Sequence, residues 1–201
     1  MLDQKKLSKS KIILGSANFG LKYSQLNAYK KVDKKEIRKI LRFCEKNKIE
    51  YLDTAHGYGN AEKIIGQLKK TEWKIITKIP KIKSQNSIEI RKYIFEIINN
   101  SLKNLNCKSL YGILFHDEKQ LLSKNGSKIF KCLKYLKKKG MINKIGVSFY
   151  TPEILIKTLS NFKIDLIQIP INYINRSFIN QKILKKIKKQ NIEVHARSIF
   201  L

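Results

Sequence analysis

An α/β fold, built as an incomplete (β/α)8 barrel of the TIM type, is what this chain predicts, on three observations. Seven short apolar runs alternate strictly with six amphipathic segments at intervals of roughly 20 to 40 residues, the signature of βαβ units and a parallel sheet. No G-x-G-x-x-G follows the first run, so a doubly wound dinucleotide-binding sheet is not expected. The 201 residues fall short of the roughly 250 that a closed barrel uses. Leu201 comes just after the seventh strand, so the eighth βα unit is expected to be missing.

In chain order, Lys11-Ile12-Ile13-Leu14-Gly15 is the first strand, and Ser16-Ala17-Asn18-Phe19-Gly20 its exit loop. After a variable stretch to about Val32, Asp33 with Glu36 three residues on gives a cap-like helix start. Its stripe is Ile37, Ile40, Leu41 and Cys44, at the spacing of a face laid against a core. Ile49 to Thr54 is the second strand, Asn60 to Leu68 a short helix, and Lys74 to Ile79 a third strand closed by Pro80. Asn86 to Leu105 carries Ile90, Ile94, Ile97, Ile98 and Leu102 at helical spacing, and Leu110 to Phe115 is the fourth strand. Gly126 to Lys139 presents Ile129, Cys132, Leu133 and Leu136, with Gly140 placed as a C-terminal cap. Lys144 to Ser148 is the fifth strand, and Thr151-Pro152-Glu153 sets a cap and an N1 proline ahead of the next helix. Asp165 to Ile169, a helix from about Ile179 to Gln190, and Ile192 to Ala196 complete the series.

A hydrophobic content of 42% suits one globular domain over residues 1–201. Lys or Arg interrupts every apolar run before it reaches the length of a bilayer span. Met1 to Ser10 lacks an apolar signal core, so a cytoplasmic location is expected. Cys44, Cys107 and Cys132 are odd in number and form no C-x-x-C pair, so no metal site is expected and the thiols read as reduced core residues. The net charge of +28 invites a nucleic-acid reading. The lysines are spread through every helix, however, which is the look of a residue-usage bias, and nucleic acid is not the expected partner. Such a surface still favours anionic small molecules through long-range attraction. Oligomeric state is left open.

In a parallel barrel, loops from different strands converge only at the C-terminal strand ends. Asp53, Lys78 and His116 end the second, third and fourth strands, and Tyr58 sits in the loop after the second. Singly each has a plain structural reading: Asp53 as a cap, Lys78 as a solvated lysine, His116 as a turn residue with Asp117, Tyr58 as a loop closure. Their joint placement at successive strand ends is what points to chemistry. His56 and His195 read as structural.

These stretches resemble the aldo-keto reductase family. D-T-A-x-x-Y-G at Asp53 to Gly59, continuing as A-E-x-x-I-G at Ala61 to Gly66, is similar to its first signature. Thr77-Lys78 is similar to its lysine strand, Leu114-Phe115-His116-Asp117 to its histidine strand, Gly146-Val147-Ser148 to its fifth-strand cofactor motif, and Gln168 to its sixth-strand glutamine. The resemblance runs from about Lys11 to the last residue. It implies a tetrad of Asp53, Tyr58, Lys78 and His116 reducing an aldehyde or ketone with NADPH, or alternatively NADH. It also implies Ser148 and Gln168 as partners of the nicotinamide carboxamide, and Arg197 with Ser198 near the pyrophosphate. Two residues depart from the pattern: Phe149 stands where the family often has Asn, and Arg197 where many members carry a stacking aromatic ring. The segment that in the family supplies the eighth strand and grips the adenosine phosphate is expected to be missing.

The chemistry supports those roles independently. Hydride added to a carbonyl carbon leaves negative charge on oxygen, so a proton donor must be aimed at that oxygen. A free phenol, with a pKa of about 10, is too weak an acid near neutrality, and a neighbouring ammonium lowers it. Two competing readings are a barrel remnant that works by association with another chain through its exposed edge strands, and a basic nucleic-acid-binding protein.

Overall fold

The seven short apolar runs become seven strands, all parallel and hydrogen-bonded in chain order, β1 to β7, and the central strands are buried almost without a break, as in a parallel sheet covered on both faces. The computed structural model describes residues 12–22 and 31–200; Lys11, the stretch 23–30 and Leu201 lie outside the described residues. The strands are β1 (Ile13–Gly15), β2 (Tyr51–Asp53), β3 (Lys74–Ile79), β4 (Leu110–Phe115), β5 (Ile142–Ser148), β6 (Leu166–Pro170) and β7 (Glu193–Arg197). The helices are α1 (Ala17–Gly20), α2 (Lys34–Lys46), α3 (Ala61–Leu68), α4 (Ser87–Leu105), α5 (Gly126–Lys138), α6 (Pro152–Asn161) and α7 (Gln181–Lys189), with a 3₁₀ turn at Gln120–Leu122. This is an incomplete (β/α) barrel. Six helices were expected; the seventh, α1, is a single turn closed by the Leu21 N–H on the Ala17 carbonyl at 3.1 Å, too short to leave a periodic pattern.

Local chemistry sets the helix ends. Asp33 accepts from the Glu36 N–H at 2.8 Å, Asn86 from the Ile88 N–H at 2.8 Å and Asn180 from the Ile183 N–H at 3.0 Å, each satisfying a first-turn donor. The predicted stripes face inward: Ile37, Leu41 and Cys44 of α2 and Ile90, Ile94, Ile97 and Ile98 of α4 are buried. The three cysteines are free thiols. Among the described residues, no helix is long and apolar enough to cross a membrane, and no group of three or more His, Cys, Asp or Glu side chains could hold a metal ion.

Most of the core lies between the helices and the outer face of the sheet. The inner face holds a small cluster, Ile76, Leu114 and Leu166, with Tyr51 and Tyr111 packed below it. At the N-terminal end of the strands the interior turns polar. Glu193 accepts from Tyr111 at 2.7 Å and from the Lys144 ammonium, and its other oxygen meets His195 Nε2 at 2.6 Å. Burial works to raise the Glu193 pKa, but the bonds from Lys144, Tyr111 and His195 prevail and hold it below the usual carboxylate value. The two edge strands, β1 and β7, both line one cavity of about 580 Å³ through Ile13, Val194 and Ala196, so the sheet curls toward closure without completing it.

Helix α3 approaches α4 so closely that a Cβ on Gly66 would stand 2.0 Å from the backbone oxygen of Asn104. Neither backbone can yield without moving its helix. Gly66→Ala is therefore expected to destabilise the fold by about 1–3 kcal/mol. Gly57→Ala, which adds a methyl where nothing lies within 4 Å, is expected to stay within about 0.5 kcal/mol of the parent. Urea unfolding of both variants decides it, and equal midpoints would remove the steric account.

Candidate active site

In β2 and β3 the inner-face positions end in opposite charges. Asp53, the last residue of β2, lies level with Ile76 of β3, and Lys78 follows two residues later on the same face. The lysine stem needs only to lean toward β2. Its ammonium donates to Asp53 Oδ1 at 2.7 Å, to Asp53 Oδ2 at 2.6 Å and to the Thr54 carbonyl at 2.9 Å. With only 2% of its surface exposed, Lys78 thus finds every acceptor inside the protein. Gln168 of β6 crosses the barrel to donate its amide to Asp53 Oδ1 at 2.9 Å, and Ser148, level with Gln168 in the sheet, donates to Gln168 Oε1 at 3.3 Å.

Tyr58 reaches the same space from the loop after β2. That loop is pinned by the Tyr58 N–H on the Ala55 carbonyl at 2.9 Å, and by close packing against Gly20, where a Cβ would stand 1.6 Å from the Tyr58 carbonyl oxygen. The Lys78 ammonium lies 5.3 Å from the centroid of the Tyr58 ring. His116, immediately after β4, stands edge-on to that ring with centroids 6.2 Å apart. Arg197, the last residue of β7, donates to the Phe149 carbonyl at 3.2 Å, and its guanidinium carbon lies 4.2 Å from the Tyr150 ring centroid. Its Nε is buried without a partner among the described residues.

Asp53, Tyr58, Lys78, His116, Ser148, Gln168, Arg197 and Ser198 all line one cavity of about 700 Å³, within the ~300–1,000 Å³ range of small-molecule sites. Ser16, Asn18 and Tyr150, which carried no expected role, line it as well. Phe149 does not: it is fully buried in the outer core, because alternation along β5 sends the residue after an inward Ser148 toward the helices. His195 lies at the base of the barrel on Glu193, away from this cavity.

Burial lowers the Lys78 pKa below the ordinary lysine value, and Arg197 adds to the effect while Asp53 opposes it. The His116 pKa is lowered too, first by burial and then by the Lys78 and Arg197 charges, against the pull of Asp53. The cavity therefore favours a neutral imidazole that can donate one hydrogen bond and accept another.

Residues 11–201 match the family model described as Aldo/keto reductase family. A search of curated proteins gives no match. Among solved structures, a protein of Pseudomonas aeruginosa assigned as an aldo-keto reductase superposes with a TM-score of 0.73 at 21% identity, covering 91% of this chain and 71% of its own. The holo form of an aldo-keto reductase from Bacillus halodurans gives a TM-score of 0.74 at 19% identity, covering 94% and 61%. An aldo-keto reductase from Klebsiella pneumoniae in complex with NADPH gives 0.68 at 17% identity, covering 92% and 62%. At these identities the likeness shows the fold, and the chain spans 61 to 71% of the length of these three proteins.

A histidine whose folded pKa lies below its unfolded value of about 6.5 favours the native state above that pH. As pH falls from there toward the lowered folded value, the unfolded chain takes up the proton first and stability declines. The free energy of unfolding should therefore fall more steeply between about pH 7 and pH 5 in the parent than in His116→Gln. Parallel curves from urea titrations across that range would show that His116 titrates alike in both states.

Proposed function

The chain belongs to the aldo/keto reductase family, and from that premise we propose that it reduces an aldehyde or ketone to the alcohol with NADPH, Tyr58 giving the proton. The observation that carries this reading is the buried Lys78 ammonium, tied to both oxygens of Asp53 and 5.3 Å from the Tyr58 ring. A phenol that releases its proton becomes an anion, and a fixed ammonium beside it stabilises that anion in a low-dielectric site. Asp53 keeps Lys78 charged and in place. His116 donates to the carbonyl oxygen and fixes its approach, so that Tyr58 delivers its proton where negative charge develops.

The donor set fits a nicotinamide cofactor. Ser148 and Gln168 offer a hydroxyl and a primary amide side by side, suited to a carboxamide, and the unpartnered Nε of Arg197 with the Ser198 hydroxyl suits an anionic phosphate. The neighbour from Klebsiella pneumoniae is a complex with NADPH, and NADH is the alternative donor. When bound, the cofactor supplies the hydride; the chain's own residues orient the carbonyl, exclude water from the Lys78–Asp53 pair and provide the proton. The proposed substrate is a small carbonyl compound that enters beside Tyr58 and His116.

Tyr58→Phe keeps the ring and removes the proton donor. It is expected to lower kcat/KM for aldehyde reduction by about 10²–10⁴-fold, followed as loss of NADPH absorbance, while the melting temperature and NADPH affinity stay near the parent values. Undiminished turnover in that variant would end the assignment of Tyr58 as donor.

A further inference from the structure

One buried carboxylate near the cavity is unused by the chemistry above. Glu118, two residues beyond His116, is 8% exposed and forms no ion pair among the described residues. A buried carboxylate is costly unless its oxygens are met by donors. All three of its donors come from one short segment: the N–H groups of Tyr150 and Thr151 donate to Oε2 at 2.6 and 2.9 Å, and the Thr151 hydroxyl donates to Oε1 at 2.6 Å. Thr151 is the N-cap residue of α6, yet its side chain makes no cap bond to the helix, its hydroxyl being given to Glu118 instead.

The segment that Glu118 grips also faces Arg197. Phe149 supplies the carbonyl that accepts from Arg197, and Tyr150 the ring under its guanidinium. On its other side the Glu118 loop is anchored to the exit of β3. Asp117 pairs with Lys81 at 3.1 Å, and Gln120 accepts from the Ile82 N–H at 2.8 Å. The loop after β4 therefore ties together the exits of β3, β5 and β7.

We infer that Glu118 is a positioning residue, which holds the Phe149–Thr151 segment so that Tyr150 and the Phe149 carbonyl set the Arg197 guanidinium against the cavity for an anionic phosphate. This rests on the proposed use of NADPH. Glutamine at 118 can keep the geometry: its carbonyl accepts both N–H groups and its amide donates to the Thr151 hydroxyl. Alanine cannot.

The test measures NADPH dissociation constants by calorimetry and backbone amide exchange in the parent, Glu118→Ala, Glu118→Gln and Tyr150→Ala. Glu118→Ala is expected to weaken NADPH about tenfold, the size of one hydrogen bond to a charged group, with a smaller change in kcat at saturating NADPH. Glu118→Gln should stay within about twofold of the parent. Tyr150→Ala, which leaves the Glu118 bonds in place at a half-exposed side chain, should reproduce the weakening even if Glu118→Ala fails to fold. Amide exchange in Glu118→Ala should quicken at 149–151 and also at 197–198. Quickening confined to the first turn of α6, parent-like affinity in Tyr150→Ala, or loss in Glu118→Gln equal to that in Glu118→Ala would each overturn the inference. A parent that binds no NADPH would instead sink the reductase reading, and the exchange at 197–198 would still decide the coupling.

Discussion

The Lys78–Asp53 pair is the constraint on which the upper half of the barrel depends. Taking an ammonium and a carboxylate out of water costs several kcal/mol per ion after relaxation, and their attraction offsets this only when the remaining donors and acceptors are also met. Here they are. The ammonium reaches three acceptors, and Asp53 takes a further bond from Gln168 on the far side of the barrel. Removing either partner alone would strand the other charge, a loss of about 3–5 kcal/mol by the usual measure for buried pairs. The pair thus fixes the spacing of β2, β3 and β6, and with it the cavity into which Tyr58 and His116 project.

A second polar network at the opposite end of the strands makes the comparison instructive. Glu193, Lys144, Tyr111 and His195 bond to one another inside the barrel, but His195 Nδ1 is buried there without a partner among the described residues. Between the two, among the described residues, lie only Ile76, Leu114 and Leu166 as fully buried inner-face hydrophobes. The interior is therefore narrow and mostly polar at both ends, and its stability rests on the outer layer of isoleucine and leucine beneath the helices. The upper network differs in bordering a cavity lined by a phenol and an imidazole.

How much of this was legible in the sequence follows from how local each signal is. The strands and long helices were, because short apolar runs and the 3.6-residue stripe act over a few neighbouring residues. Asp53, Lys78 and His116 were legible as strand-end residues, since a parallel barrel leaves such positions only one rim to occupy. Phe149 could have been placed by alternation along β5, which sends it outward once Ser148 points in. Glu118 and Tyr150 were not legible. Their contact joins loops 32 residues apart, neither of which has a period, and nothing in the spacing of Glu118 distinguishes it from a solvated glutamate. The Glu193–Lys144 pairing was hidden for the same reason, joining β5 to β7 across the barrel interior.

The charge of +28 bears on the site less than its size suggests. At physiological ionic strength the screening length is about 8 Å, so lysines on the outer helices act mainly on the rate at which an anion arrives. Retention depends on the charges that line the cavity. There the Asp53 carboxylate is committed to Lys78, and Arg197 forms no ion pair among the described residues, held by a backbone carbonyl and an aromatic ring. Burial is the main cause of the lowered pKa values of Lys78 and His116, and the field of the Arg197 charge adds to it in both. An anionic group bound at Arg197 would relieve that field and let both side chains hold their protons more firmly. Occupancy at one wall of the cavity would thereby be linked to protonation at the other.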